Sequence, residues 1–239
     1  MERPIITEEK VQPMLETRFI KVFDLQYKEG AHYYDATRRD KAELVALKSD
    51  EAFRQLMPDA ATCFVIVDTP KEGPHLLLSY EYRYPTGQFL LSPPAGLMDP
   101  SDREEAAKRY ETPEDQVDAA LLLTAEREIH EETGIRLQLH EREDHLPTDR
   151  LFVVSPLLFS TPGMTDECNG LVCAVAHLAD LSSLSQTGAE GTEVFDGFEL
   201  LDEQAARRIL TEGRDKHGNF YSAYTWMALI YFLSGMWKA

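Results

Sequence analysis

Apolar and polar positions along this chain change period several times, and each change marks an element. Residues 18–27, Arg-Phe-Ile-Lys-Val-Phe-Asp-Leu-Gln-Tyr, alternate patchily, and residues 31–37 follow a Lys-Glu-Gly turn, so the two predict a hairpin. Beyond Pro58, residues 61–67 and 75–84 predict two further strands. Between them lies Asp68-Thr-Pro-Lys-Glu-Gly-Pro74, whose prolines and glycine suit a turn. Another strand over 87–91 runs into Ser92-Pro-Pro-Ala-Gly96. The period then lengthens to that of a helix. Thr112 stands where a cap belongs, Pro113 suits the first helical position, and Glu114 and Asp115 favour the positive end of the helix dipole. Apolar Val117, Leu121, Leu122, Ala125 and Ile129 carry the pattern to Thr133, where Gly134 predicts a left-handed stop. Strands over 150–158 and 171–178 and a helix pair over 202–210 and 221–233 complete the chain. In the last helix Tyr221, Tyr224, Trp226 and Phe232 recur at near-helical spacing, which predicts core positions. Strands dominate the first half with helices interspersed later, the pattern of an α+β fold with a mixed sheet.

Composition narrows the partners. The 239 residues suit one large domain, or one domain with a small extension. Hydrophobic residues at 43% and charged residues at 28% describe a globular chain rather than a disordered or fibrous one. With 42 acidic against 24 basic side chains the formal charge is −18, so no nucleic-acid partner is expected, because phosphate contacts need a basic surface. A small phosphate substrate remains compatible if metal cations come with it. Cys63, Cys168 and Cys173 have no CxxC spacing and predict neither a disulfide framework nor a zinc site. The first ten residues lack a basic start followed by an apolar run, and residues 227–237 span only about half of the ~20 residues a membrane crossing needs. A cytoplasmic protein with no membrane partner is therefore expected.

Candidate chemistry sits at the end of the central helix, in Arg127-Glu-Ile-His-Glu-Glu-Thr-Gly-Ile135. Glu128, Glu131 and Glu132 stand at i, i+3 and i+4, so one helical face presents three carboxylates, whereas His130 points away from it. Such charges repel by a few tenths of a kcal/mol per pair, and the negative end of the helix dipole adds to the strain. Read by composition alone, this is a solvated acidic helix end. Cations relieve the repulsion, and hard oxygen ligands on a rigid face suit Mg²⁺ or Mn²⁺. Arg127 carries a permanent charge in a shape that fits one carboxylate.

The order of these residues resembles the second half of the Nudix box, G-x5-E-x7-R-E-U-x-E-E-x-G-U with U apolar, and every specified position from Arg127 to Ile135 matches. The first half departs from it. Counting from Gly96, the acidic position falls on Asp102, and 24 residues separate Asp102 from Arg127 where the pattern has seven, a surplus of 17. The surplus includes Arg103-Glu-Glu-Ala-Ala-Lys-Arg109, readable as a short helix or a longer loop, and Asp102, Glu104 and Glu105 are therefore not carried over as metal ligands. Tyr82-Arg-Tyr-Pro85 with Pro94-Ala-Gly-Leu-Met-Asp99 is similar to the QYR-P…PAGLID run of ADP-ribose pyrophosphatases, which commonly have Glu where Ser92 stands. Thr161-Pro-Gly-Met-Thr-Asp-Glu167 resembles their SPG-x-x-x-E loop.

The resemblance implies a Nudix-type α/β/α sandwich over residues 58–239, with an insertion at about 103–119. It also implies that residues 1–57, with their β-hairpin, form a small extension that makes a homodimer. The implied metal set is the Ala95 carbonyl with Glu128, Glu131 and Glu132, holding Mg²⁺ or Mn²⁺. Glu167 is the implied base, Glu131 a further catalytic carboxylate and Arg127 the group that orients a carboxylate. Arg83 is implied to contact substrate phosphate. Arg39, beside Arg38, is a second substrate candidate, toward the substrate of a dimer partner. The implied substrate is a small nucleotide, and the reaction is hydrolysis of the pyrophosphate of a nucleoside diphosphate linked to another moiety, ADP-ribose to AMP and ribose 5-phosphate first. The alternatives are a nucleotide-sugar, dinucleotide or coenzyme pyrophosphatase, and a catalytically silent Nudix-like binding module.

Overall fold

The chain opens with three short strands, β1 (Val11–Glu16), β2 (Lys21–Lys28) and β3 (Ala31–Thr37), which pair antiparallel in that order. The expected hairpin is β2–β3, and β1 corrects it to a three-stranded sheet. Pro13 interrupts the β1 pattern, which an edge strand tolerates because its outward amides need no partner. The structure is a computed structural model that describes residues 3–188 and 193–239. It divides into two compact units, Met1–Asp59 with Leu157–Asn169, and Ala60–Pro156 with Gly170–Ala239. The sequence does not announce that 157–169 belongs with the N-terminal residues. The first unit has its own small core of Val11, Phe23 and Leu44, with Ile6, Leu25 and Leu47 packed against it. The short helix α1 (Asp50–Arg54) follows, with the Ser49 hydroxyl accepting the Ala52 amide at 3.2 Å.

The second unit is built on β4 (Ala60–Thr69), β5 (Gly73–Arg83), β6 (Gln88–Ser92) and β7 (Ala95–Leu97). Helices α2 (Pro100–Arg109) and α3 (Pro113–Thr133) come next, followed by β8 (Arg150–Phe159), β9 (Cys168–His177) and β10 (Phe195–Leu201). The chain continues into α4 (Glu203–Glu212) and α5 (Ala223–Ser234). Seven strands form a mixed sheet in the order β10-β5-β4-β9-β8, with β6 on β5 and β7 on β4. Strand β4 is buried almost throughout because α3 and α5 both pack on it, and its run of Ala, Val, Ile and Phe suits a strand covered on two faces. The insertion in the box is a helix, α2, that packs along α3.

Helix α3 has the boundaries its sequence predicts. The Thr112 hydroxyl accepts the Asp115 amide at 3.2 Å, and Gly134 ends the helix at φ 76°. Its apolar stripe, Ala120, Leu121, Ala125 and Ile129, is fully buried. The sheet side of the contact is close: a Cβ on Gly170 of β9 would lie 2.3 Å from the Leu121 side chain. Two expectations need correction. Residues 195–201 form β10, which the sequence does not suggest, because Gly197 and a register shift between Phe195 and Phe198 break the alternation. Trp226 of α5 is half exposed, whereas Phe232 is buried as expected, so the aromatic spacing spans both faces of the helix.

Candidate functional site

Each strand edge and helix end in the second unit that carries chemistry does so for a local reason. Strand β4 parts company with β5 after the pair Val65–Leu77 and takes up β7 at Thr62–Ala95. The Cys63 amide donates to the Pro94 carbonyl at 2.8 Å, which pins the Pro94-Ala95-Gly96 turn to β4. The turn meets the acidic face of α3: the Ala95 amide donates to Glu132 Oε1 at 3.3 Å. Gly96 leaves room for the Glu128 carboxylate, because a Cβ would fall 2.0 Å from its carboxyl carbon and displace it.

Arg127 ties this region together. Its Nη1 donates to Glu128 Oε1 at 2.6 Å and to Glu131 Oε2 at 3.4 Å, and its Nη2 donates to the Leu97 carbonyl at 3.0 Å and to Asp102 Oδ2 at 3.4 Å. Burial disfavours the guanidinium charge, but Glu128, Asp99 and Asp102 outweigh it and raise the pKa. Asp102 Oδ2 also accepts the Thr124 hydroxyl at 3.0 Å and the Asp99 amide at 3.3 Å. With its donors already in place, that oxygen organises Arg127 and the start of α2.

The two inner glutamates are buried, Glu128 at 6% and Glu132 at 4% exposure, whereas Glu131 is partly exposed. Burial, and after it the charge of Glu81, pushes the Glu132 carboxyl well above the usual carboxylate range; the Ala95 amide works the other way, and Glu128 and Glu193 add to the rise. Burial also raises Glu128, against the opposing pull of Arg127. Burial raises Glu81 too, with Arg83 opposing and Glu193 adding. Glu81, Glu128, Glu132 and Glu193 thus form one electrostatic neighbourhood, of which the sequence singled out only two members. Glu193 stands next to Val194, whose carbonyl accepts the Tyr82 amide at 2.8 Å.

The arrangement fits a hard cation by the chemistry of its donors, since buried carboxylates repel one another with too few donors around them. Among the described residues, no group of three or more His, Cys, Asp or Glu side chains is already arranged to hold a metal ion, and one Glu128 oxygen is engaged by Arg127. His130 stands off the glutamate face, as expected, and lines an open cavity of about 490 Å³ with Leu123, Glu126 and Arg136.

Of the predicted site residues, Arg83, Ala95, Arg127, Glu128, Glu131 and Glu132 belong to the second unit, and Arg39 and Glu167 to the first. Arg39 is largely buried, with Nη2 2.6 Å from Asp59 Oδ2 and Nε 3.5 Å from Asp166 Oδ2. Asp166 further accepts the Thr37 hydroxyl at 2.6 Å and the Val45 amide at 3.0 Å. Glu167 accepts from Arg38 Nε at 2.9 Å, and both line a cavity of about 290 Å³ with Phe19, Ile20, Thr37 and Met164. The turn that carries Glu167 is tied to β3 through the Ala36 amide on the Met164 carbonyl and the Tyr33 hydroxyl on the Gly163 carbonyl. No helix among the described residues is long and apolar enough to cross a membrane.

No family model matches this chain, and no curated protein matches it in sequence. Among solved structures it is similar to the crystal structure of an ADP compounds hydrolase, with a TM-score of 0.53 and 18% identity over 99% of this chain and 95% of that one. At that identity the likeness shows a shared fold, and the expected α+β architecture with a mixed sheet is borne out. A Nudix hydrolase from Alicyclobacillus acidocaldarius covers 75% of this chain and 92% of its own, at a TM-score of 0.49 and 18% identity.

Proposed function

We propose that this chain hydrolyses the pyrophosphate bond of a nucleoside diphosphate joined to a second moiety, with ADP-ribose as the first candidate and AMP and ribose 5-phosphate as products. The observation that carries the reading is the pair of buried glutamates, Glu128 and Glu132, set on a rigid helix against the Ala95-Gly96 turn. The Nudix-like order of residues 127–135 supports it, and so does the fold shared with a hydrolase described as acting on ADP compounds.

In this reading Glu128, Glu132 and the Ala95 carbonyl hold Mg²⁺ or Mn²⁺, with Glu131 as a further ligand or support. The cation supplies neutralisation of diphosphate charge and a water that loses its proton more readily. The protein supplies the rest. Arg127 fixes the Glu128 rotamer, Asp102 fixes Arg127, and Arg83, on the exposed end of β5, receives a substrate phosphate. Glu167 is assigned the proton of the attacking water on the strength of its loop. Glu193 is the rival, because its charge bears on Glu81, Glu128 and Glu132. Arg39 is left out, its guanidinium being committed to Asp59 and Asp166. Exposed Met14, Leu15, Tyr33 and Tyr34 on the N-terminal sheet support a homodimer through that surface.

The test is product analysis of ADP-ribose and a nucleotide-sugar panel, with Mg²⁺ and with a chelator. The reading expects AMP from ADP-ribose, abolished by chelation and lowered at least about 100-fold in Glu132→Gln. Release of product at wild-type rate by Glu132→Gln contradicts it. Glu167→Gln and Glu193→Gln, assayed side by side, assign the base by which of them loses turnover with substrate binding retained.

A further inference from the structure

Glu81 and Arg83 stand two residues apart on β5, so their side chains leave the same face of the sheet, and the Glu81 carboxylate meets the Arg83 guanidinium in an ion pair. The partners differ in exposure: the Glu81 side chain is 15% exposed and that of Arg83 44%. Glu81, whose charge acts on Glu132, is the inner end of the pair, and Arg83 is the end that reaches solvent. Strand register supports the placement. Ser79 and Ser92 face each other across β5 and β6, Glu81 is opposite Leu90, and β6 leads through Pro93-Pro94 into the Ala95 turn that touches Glu132. The inner acids already have partners of their own, Arg127 for Glu128 and the Ala95 amide for Glu132. Among the described residues, Arg83 is the cation in contact with Glu81.

Arg83 consequently cannot turn to a phosphate without leaving Glu81 half-buried beside other carboxylates. A divalent cation among those carboxylates removes the obstacle, because it takes over the neutralisation that Arg83 provides. We propose that Glu81 is a positioning residue that withholds Arg83 from anionic ligands until a divalent cation shares the carboxylate cluster, so that this ion pair adds to the mutual strengthening of cation and diphosphate binding. The inference rests on the hydrolase reading above, and adds to it a residue and an order of assembly. Linkage makes the effect reciprocal, so the same coupling can be read from either ligand.

The test is calorimetric binding of α,β-methylene-ADP, whose bridge resists hydrolysis, to the full chain with a chelator and with saturating Mg²⁺. For the wild type we expect at least about tenfold tighter binding with Mg²⁺. Glu81→Gln should bind the analogue about tenfold more tightly than wild type without metal, and the gain from Mg²⁺ should shrink by about the same factor. Arg83→Gln should bind weakly in both conditions. Glu81→Asp, which keeps the charge on a shorter arm, serves if the glutamine variant fails to fold, and it should raise metal-free affinity in the same direction. Unchanged metal-free affinity and an unchanged Mg²⁺ gain in folded Glu81 variants overturn the proposal while leaving the hydrolase reading intact. Absence of analogue binding by the wild type, even with Mg²⁺, overturns both.

Discussion

Both units of this molecule bury carboxylates beside an arginine, and they do it with opposite bookkeeping. In the N-terminal unit Arg39 faces Asp59 and Asp166, and Asp166 has in addition a hydroxyl and an amide donor. Asp59 likewise accepts the Cys168 amide at 2.9 Å. In the second unit Arg127 serves Glu128, but Glu132 has one amide at 3.3 Å and feels Glu81, Glu128 and Glu193 as well. Several donors around Asp59 and Asp166 rigidify the first network, although Asp35 beside Asp166 keeps some uncompensated charge there, whereas Glu132 in the second has a single donor among other acids. On the proposed reading the first arginine serves stability and the second orients a metal ligand.

Breaking the balanced network should have the largest effect on stability. Arg39→Ala leaves Asp59 and Asp166 buried without their cation, and urea denaturation should show a loss of about 3–5 kcal/mol. A loss under about 1 kcal/mol would mean that the network is solvated and the contrast between the units is wrong. Gly96→Ala attacks the other region. Its Cβ displaces the Glu128 carboxylate, so kcat/KM should fall by about 10–100-fold, with a stability loss of about 1–3 kcal/mol.

Asp35 sharpens the comparison by pH. Burial, then the charge of Asp166, raises its pKa from 3.8 to about 6, while the Asp166 amide and Arg39 oppose the rise. Below pH 3.8 the group is neutral in both folded and unfolded states. Between 3.8 and about 6 unfolding releases a proton, so stability falls as pH rises through this window, by about 3 kcal/mol in all. Asp35→Asn should flatten that slope in melts run across the window, and an unchanged slope places the titration elsewhere. The smallest effect is expected at Thr112→Ala, which removes the cap of α3 and should cost about 1 kcal/mol in thermal unfolding.

What was legible in the sequence followed from local physics. The start and stop of α3 could be read from Thr112, Pro113 and Gly134, because capping and left-handed φ depend on residues next to the helix. The carboxylate face could be read because i, i+3 and i+4 share a face in any α-helix. What was missed depends on distant chain segments. Strand β1 was hidden by Pro13, and β10 by Gly197 and a bulge. Glu81 sits in an alternating strand, where one acid reads as the solvent face, until the turn after β6 brings Ala95 to Glu132 beside it. Arg39 read as a substrate candidate because Asp166, which engages it, lies 127 positions away, at the end of a loop that nothing local ties to it.

The central claim is that the surplus of buried carboxylates in the second unit gathers a divalent cation next to a nucleoside diphosphate. Electron paramagnetic resonance of Mn²⁺, titrated into the purified chain with α,β-methylene-ADP present, tests it without depending on turnover. The account predicts saturable loss of the free Mn²⁺ signal for the wild type and little or none for Glu132→Gln. Equal uptake by both proteins, or none by the wild type, would contradict it.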